Sequence, residues 1–380
     1  MHDLKDDLRR AATPFGDARF TIDQIAQGAR RRGARRRAVA TATAFAVFAL
    51  AGSLVFRAFG NGGGPVDPAA SPHDGPIAYV ITEEGAQPAL RITGVASAVE
   101  HVVPEVGRPV AWSQDGSLLV FGGTRDGDEM GLWSVRADGS GLRRLAPGDG
   151  AEFAPAFDPS GERLLFFRHG SFALILDLGT GEIQEIVGVD TPGLWADASW
   201  SDDGSAVIAM FYGADEGGPN RLVVIPLDGG SVREIYRGSF NEPSTSPDGR
   251  TVAIASDGRL VLVATDGSGE RTLLGGLDGQ GLSKVAWAPV GSSILYTVPI
   301  GPTEGEQLWI VDAASGTSQL LAEGLAWRGG APAWSPDAGS IAFERGGDIW
   351  TVEIATGVAT QVTQTVATES DPSWGAPGNP

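Results

Sequence analysis

Between residues 76 and 380 the apolar positions fall into short runs that are separated by turns. Runs of four to six apolar residues, such as 118–121, 206–211 and 293–298, alternate with segments rich in Gly, Pro and Asp. Short apolar runs bounded by turn residues predict β-strands, and uninterrupted ones predict strands buried on both faces. This part of the chain is therefore predicted to be all-β.

One short pattern recurs seven times along the same region. In each copy an aromatic slot precedes a turn of the Ser-Pro-Asp-Gly type, in which Pro, Asp and Gly each favour a tight turn. Successive slots lie 40 to 47 residues apart, and a period of this size is typical of β-propellers. The slots are, in order, Trp112, Phe157, Trp200, Thr245, Trp287, Trp334 and Trp374.

The ends of the repeat region determine the number of blades. Each intact repeat carries four strand signals, of which the first ends at the aromatic slot. Residues 77–103 contain three strands without a first one, and 369–374 form a first strand with no strand after it. Together they complete one blade, which predicts a seven-bladed β-propeller closed by N- and C-terminal strands in one composite blade. Such closure removes the free sheet edges of an open array.

A different pattern precedes the repeats. Ala38 to Phe56 is a run of nineteen residues without charge, which as a helix would span about 28 Å, close to a bilayer core. Six arginines stand within residues 30–37, and only Arg57 follows closely. The positive-inside rule then predicts a transmembrane helix at 38–57, a cytoplasmic N-terminus and an extracytoplasmic propeller. The alternative is a signal peptide cleaved near Ala49-Leu50-Ala51, which would give a secreted protein.

Charge divides the chain in the same place. Residues 1–37 carry a net charge of +5, and residues 38–380 carry −24. This acidic body excludes a whole-molecule nucleic-acid binder. We therefore divide the chain into a basic cytoplasmic head at 1–37, the transmembrane helix at 38–57, a Gly/Pro-rich linker at 58–75 and the β-propeller at 76–380.

The head has two short amphipathic patterns, one with Leu4 and Leu8 and the other with Ile22 and Ile25 on one face. One interpretation is a juxtamembrane helix that lies on anionic lipid. The other is a docking segment for a cytoplasmic protein. The pattern alone does not choose between them.

The sequence carries no recognisable catalytic motif. It has no Cys, no Gly-x-Ser-x-Gly turn, no His-Glu-x-x-His and no phosphate-binding loop. Two of the four histidines, His2 and His73, lie in terminal segments; His101 falls in an outer strand and His169 in a hairpin loop. We therefore predict no catalytic, cofactor-binding or metal-binding residues, no cofactor, and a protein that is not an enzyme.

Several carboxylates need a structural interpretation first. Those that recur in the blade turns are predicted to form the turns: Asp115, Asp203, Asp248 and Asp337. Another group lies in an oxygen-rich loop whose spacing is compatible with Ca²⁺, although a solvated hairpin is the favoured interpretation: Asp126, Asp128 and Glu129. Asp215 and Glu216 are interpreted in the same way.

The recurring turn gives the chain a family resemblance. It is carried by Trp112–Gly116, Trp200–Gly204, Ser246-Pro247-Asp248-Gly249 and Trp334–Asp337. These motifs resemble those of the TolB-like, or PD40, class of WD40-like β-propellers, over about residues 76–380. The resemblance implies an extracytoplasmic scaffold for protein or small-ligand contacts and no reaction. Two features depart from it: such propellers usually have six blades, and Thr245 replaces an aromatic residue, which puts the local packing there in doubt.

Three functions fit these features. The leading hypothesis is a membrane-anchored, extracytoplasmic binding or sensor module for a protein or a small ligand, signalling through the head in a layout that resembles transmembrane anti-sigma regulators. The zinc motif of such regulators is absent, because there is no Cys. The alternatives are a TolB-like envelope scaffold in which the head is a mere anchor and, third, a propeller enzyme of the lyase type.

Overall fold

The computed structural model describes residues 75–377 except 84–87, 94–98, 102–106, 125–129, 147–150, 170–171, 187–194, 213–217, 276–280, 302–303 and 327–329. These residues belong to one compact unit, Pro68–Pro380, and a second unit covers Met1–Asp67. The predicted head, transmembrane segment and linker lie outside the described residues and stay predictions. Among the described residues, no helix is both long enough and apolar enough to cross a membrane.

Within the described part of the chain, 28 strands form seven four-stranded antiparallel sheets. The first four blades, each given from its innermost to its outermost strand, are blade 1 with β28 (Thr368–Trp374), β1 (Ile77–Thr82), β2 (Ala89–Thr93) and β3 (Val99–His101); blade 2 with β4 (Gly107–Trp112), β5 (Leu118–Gly123), β6 (Gly131–Arg136) and β7 (Arg143–Arg144); blade 3 with β8 (Glu152–Phe157), β9 (Arg163–Arg168), β10 (Phe172–Asp177) and β11 (Ile183–Glu185); and blade 4 with β12 (Trp195–Trp200), β13 (Ala206–Phe211), β14 (Asn220–Pro226) and β15 (Arg233–Gly238).

The remaining blades repeat this order. They are blade 5 with β16 (Phe240–Thr245), β17 (Thr251–Ser256), β18 (Arg259–Ala264) and β19 (Glu270–Leu274); blade 6 with β20 (Val285–Trp287), β21 (Ser293–Gly301), β22 (Gly305–Asp312) and β23 (Ser318–Leu325); and blade 7 with β24 (Ala333–Trp334), β25 (Ser340–Arg345), β26 (Asp348–Glu353) and β27 (Ala359–Gln361). The predicted seven-bladed all-β propeller is confirmed.

The core lies between blades. Each second and third strand is apolar on both faces, so alternate side chains pack against the blades before and after it. Phe167 of β9 and Phe211 of β13, for example, share a cluster between blades 3 and 4. Seven such clusters occur, one for each pair of neighbouring blades. The continuous apolar runs of the sequence reflect this two-sided burial.

The composite blade closes the ring as predicted. Strand β28 pairs antiparallel with β1, and Ile77 lies opposite Trp374. Beyond the strand, the Gly375 amide donates to the Pro76 carbonyl at 2.8 Å. The cluster of blades 7 and 1 contains Ile77 and Tyr79 from one end of the chain and Ala342 from blade 7. The last strand is thus held by both neighbours.

The aromatic slot joins each blade to the previous one. Its side chain lies at the end of the innermost strand, where an indole N–H reaches the backbone of the preceding innermost strand. Three tryptophans donate in this way at 3.0–3.1 Å: Trp112 to Ser373, Trp200 to Ala156, and Trp334 to Ala286. A repeated indole bond explains why the sequence repeats Trp at this position.

Thr245 keeps a shorter version of the same connection. Its hydroxyl lies 2.7 Å from the Ser199 hydroxyl of blade 4, the position that precedes the slot of that blade. In the next blade, the Trp287 amide donates to the Ser244 hydroxyl at 2.9 Å. Two hydroxyl bonds therefore accompany the exchange of an aromatic residue for threonine, and the blade order is unchanged.

Candidate binding face

The two ends of the propeller differ in their connections. At one end, here named the turn face, the first and second strands of blades 2–7 are joined by five residues each, such as Ser113–Ser117 and Ser335–Gly339. The other end, here named the loop face, carries the second-to-third-strand and blade-to-blade connections. Their lengths range from the single residue Ser239 to the ten residues 275–284. Loops of varied length on a rigid scaffold are common binding sites.

On the turn face the recurring aspartates bind their own turns. The Ser113 hydroxyl donates to Asp115 Oδ1 at 2.6 Å, and Asp115 also accepts the Ser117 amide at 3.0 Å. The Leu118 amide donates back to the Ser113 hydroxyl at 2.9 Å. The same serine–aspartate pair recurs in three other turns, at Asp203, Asp248 and Asp337. The prediction that these four carboxylates form turns is confirmed.

The hydrogen bonds also change the acidity of these groups. The Ser205 hydroxyl, the Ser205 amide and the Ser201 hydroxyl lower the pKa of Asp203 from 3.8 to about 2. Bonds from Ser113 and Ser117 lower the pKa of Asp115 in the same direction. Donors that favour the charged form keep these carboxylates ionised in the folded state. They are acceptors in turns rather than proton-transfer groups.

Asp203→Ala is expected to destabilise the propeller body, residues 75–380, by about 1 kcal/mol at pH 7, the net value of a hydrogen bond at a solvated turn. Because the pKa of Asp203 is lowered on folding, its contribution is present above pH 4 and is lost as the pH falls towards 2. Chemical denaturation from pH 7 to pH 2.5 measures the difference, with the exposed neighbour Asp202→Ala as control. A pH-independent difference would contradict the assignment.

At the loop face, buried carboxylates begin some of the innermost strands. Glu152, the first residue of β8, is fully buried. Its Oε1 accepts from Arg168 Nη2 at 2.7 Å, and its Oε2 accepts the Leu132 amide of blade 2 at 3.2 Å. A buried carboxylate is stable only with such partners. Glu152 therefore ties the second and third strands of two blades to one innermost strand.

Two further carboxylates are held in the same region. Glu369 of β28 is fully buried and accepts hydrogen bonds from the Thr363 and Thr365 hydroxyls. Glu306 of β22 is almost fully buried and accepts the Ser283 hydroxyl at 3.0 Å. Each carboxylate is bound by donors of its own chain, so its role here is structural.

A lysine connects three blades at the same end. Lys284, the only lysine beyond residue 5, donates from Nζ to the Gly330 carbonyl at 2.7 Å. Gly330 in turn lies against Asp371 of β28, since a Cβ at Gly330 would fall 2.3 Å from Asp371 Oδ1. Blades 6, 7 and 1 thus meet around one ammonium group and one carboxylate, and any side chain at residue 330 would disturb them.

Large apolar side chains are also exposed at the loop face. Phe172 begins β10, Tyr212 follows β13, Ile300 lies near the end of β21, and Val366 lies in the connection from β27 to β28. The turn face exposes Val290 and Val358. An exposed apolar side chain beside variable loops is typical of a protein-binding surface. The loop face is therefore the candidate binding face.

The structure places only some of the residues weighed from the sequence. His101 ends the outer strand β3, and His169 follows β9 with a positive φ of 54°. His2, His73, the 126–129 carboxylates, Asp215 and Glu216 lie outside the described residues, so the calcium question stays untested. Among the described residues, no group of three or more His, Asp or Glu side chains is arranged to hold a metal ion.

Sequence reasoning missed the buried carboxylates. A usable signal was present, because Glu152 and Glu369 each stand five residues before an aromatic slot, at Phe157 and Trp374. A periodic acid in an apolar repeat predicts a fixed structural partner better than a solvated surface.

Comparisons with known proteins agree with this architecture. No protein-family model matches the chain. A TolB homologue of Chlorobium luteolum is 28% identical over 143 residues, which cover 37% of this chain and 32% of that protein. The matched segments span 21% to 52% of the curated relatives found.

Solved structures show the same fold at low identity. TolB from Acinetobacter baumannii is 14% identical with a TM-score of 0.51, covering 81% of this chain and 68% of that one. An oligogalacturonate lyase from Vibrio parahaemolyticus is 15% identical with a TM-score of 0.60, covering 76% of this chain and 85% of that one. The domain is a seven-bladed β-propeller. Its sequence and fold together make it a TolB-like propeller.

Proposed function

We propose that this chain is a single-pass membrane protein whose extracytoplasmic propeller binds a protein partner and signals through the basic head. The observation that carries the proposal is the contrast between the two faces. The turn face has uniform turns stabilised by serine–aspartate bonds, and the loop face has connections of one to ten residues beside exposed apolar side chains. The net charge of −24 on residues 38–380 favours a partner with a basic surface.

Binding is favoured over catalysis by the state of the buried carboxylates. Glu152, Glu306 and Glu369 are bound by Arg168, Ser283 and two threonines. A general acid or base needs a free position within hydrogen-bonding reach of a substrate. The likeness to a lyase shows a shared fold and supplies no residues for its reaction.

A second candidate function is a TolB-like envelope scaffold in which the head is only an anchor. The sequence similarity to a TolB homologue favours it. In both functions the propeller binds a protein, so they differ only in what the head does. A small ligand bound by the propeller would fit a sensor but not a scaffold.

Substitution at the loop face is expected to release the partner. Val366→Asp and Phe172→Asp place a charge at exposed apolar positions and should weaken partner retention by about tenfold or more, as at an interface hot spot. Quantitative mass spectrometry of the full-length protein purified from native membranes measures retention. Val290→Asp and Val358→Asp on the turn face are the matched controls. Loss of the partner with the controls alone would contradict loop-face binding.

Deletion of residues 1–29 separates the signalling protein from the scaffold. Arg30 to Arg37 and the apolar segment remain, so the predicted anchor is kept. If the head docks a cytoplasmic protein, we expect the deletion to abolish capture of that protein and the associated phenotype, while the propeller keeps its own partner. Capture with an isolated 1–37 peptide is the complementary measurement. An unchanged phenotype would favour the scaffold.

A further inference from the structure

The chain enters the propeller at the turn face. Ile77 begins β1 opposite Trp374, the last residue of β28. The Gly375 amide donates to the Pro76 carbonyl at 2.8 Å. A Cβ at Gly75 would lie 1.9 Å from the Gly375 carbonyl oxygen. Innermost strands run from the loop face to the turn face, so this junction lies at the turn face.

The junction also lies close to the centre of that face. Gly375 follows an innermost strand and packs on the indole of Trp112 in blade 2, where a Cβ would approach Cδ2 to 2.7 Å. The Ala376 carbonyl oxygen lies against Gly116 in the first turn of blade 2. The preceding chain is therefore attached between blades 1 and 2, beside the innermost strands, rather than at an outer edge.

The chain between the predicted anchor and this junction is short. Residues 57–74 are eighteen residues rich in Gly and Pro. A coil of this length has an average end-to-end distance of about 20–25 Å. A small folded domain is about 30 Å across. On average, the expected tether is therefore shorter than a folded partner is wide.

The opposite face has a prepared contact point. The connection from β27 to β28 is fixed by Glu369, which accepts the Thr363 and Thr365 hydroxyls, and by Asp348, which accepts the Thr365 amide at 3.2 Å. Val366 lies at the tip with a relative exposure of 109%. A fixed loop that presents a fully exposed apolar side chain loses little entropy on binding.

We propose that in the anchored protein the loop face is the surface open to a folded partner, and that the tether holds the turn face too close to the membrane for such a partner. The occupant is a folded protein with a basic surface, which complements the acidic body. This inference rests on the membrane anchor of the proposed function.

The absence of cysteine makes a direct test possible. Val366→Cys on the loop face and Val358→Cys on the turn face flank the same blade, and both valines are exposed. The full-length variants, in right-side-out and inside-out vesicles, are treated with a small impermeant maleimide and with a 40-kDa polyethylene-glycol maleimide. The ratio of the two labelling rates at one residue cancels its intrinsic exposure.

In membranes, the rate ratio of large to small reagent is expected to be about tenfold lower at residue 358 than at residue 366, since a coil with a short tether leaves little room for a polymer. Detergent release should make the two ratios equal. Equal ratios in the membrane would overturn the inference while leaving the anchor intact. Labelling only in inside-out vesicles would reject the proposed topology, and the ratio would still test the face. A chain that washes off the membrane would overturn both.

Discussion

Deletion of residues 368–380 is expected to lower the melting temperature of the propeller body, residues 75–380, by at least about 6 °C, which is the effect of roughly 4 kcal/mol on a domain of this size. The deletion removes β28 and with it the pairing to β1, the buried Glu369 and the half-buried Trp374. Loss of a large aromatic side chain alone costs about 3–5 kcal/mol when it is well buried.

The truncated body should also associate. Without β28, strand β1 presents an unpaired edge flanked by Ile77, Tyr79 and Ile81, and a free apolar strand edge invites intermolecular pairing. Scanning calorimetry and light scattering measure the two effects. Removal of residues 378–380 alone is the control and should change neither. A truncated body that stays monomeric and melts within a degree or two of the full one would contradict ring closure by β28.

The blade architecture was predictable because its signals repeat. A single Trp-Ser-x-Asp-Gly turn is weak, but seven slots at a spacing of 40 to 47 residues leave few other folds. The composite blade followed from counting strands at the two ends, and the pairing of Ile77 with Trp374 confirms it. Local propensity, turn chemistry and apolar periodicity agree in this region.

The loop face was not predictable in the same way. Its features depend on contacts between blades that are distant in sequence, such as Lys284 with Gly330 and Glu152 with Leu132. An isolated glutamate in a sequence has the same appearance whether it is solvated or buried against an arginine. The serine–aspartate turns were the opposite case, because their bonds span only two residues and repeat.

Thr245 shows where pattern reasoning reaches its limit. The missing aromatic residue put the packing of blade 5 in doubt, yet the Thr245 hydroxyl meets Ser199 and the Ser244 hydroxyl accepts the Trp287 amide. The compensating serines lie one position before the slots of blades 4 and 5. Their significance appears only when neighbouring blades are placed side by side.

Glu152→Ala is expected to destabilise the propeller body by about 2–4 kcal/mol, because breaking a buried ion pair leaves its partner unpaired. Glu152 is fully buried, whereas the Arg168 side chain is 22% exposed, so water offsets part of the loss. The substitution also removes the acceptor of the Leu132 amide. Denaturant unfolding of the variant and the wild-type body measures the difference.

The matched control is an exposed ion pair. Glu234 pairs with Arg221 and Arg237 on the outer strand β15, and its side chain is 29% exposed. Since surface pairs contribute about 0–1 kcal/mol, Glu234→Ala should cost much less than Glu152→Ala. In a double-mutant cycle, Arg168→Ala should cost less in the Glu152→Ala background than in the wild type. Independent effects of the two substitutions would show that the pair does not hold the innermost strand of blade 3 to its second strand.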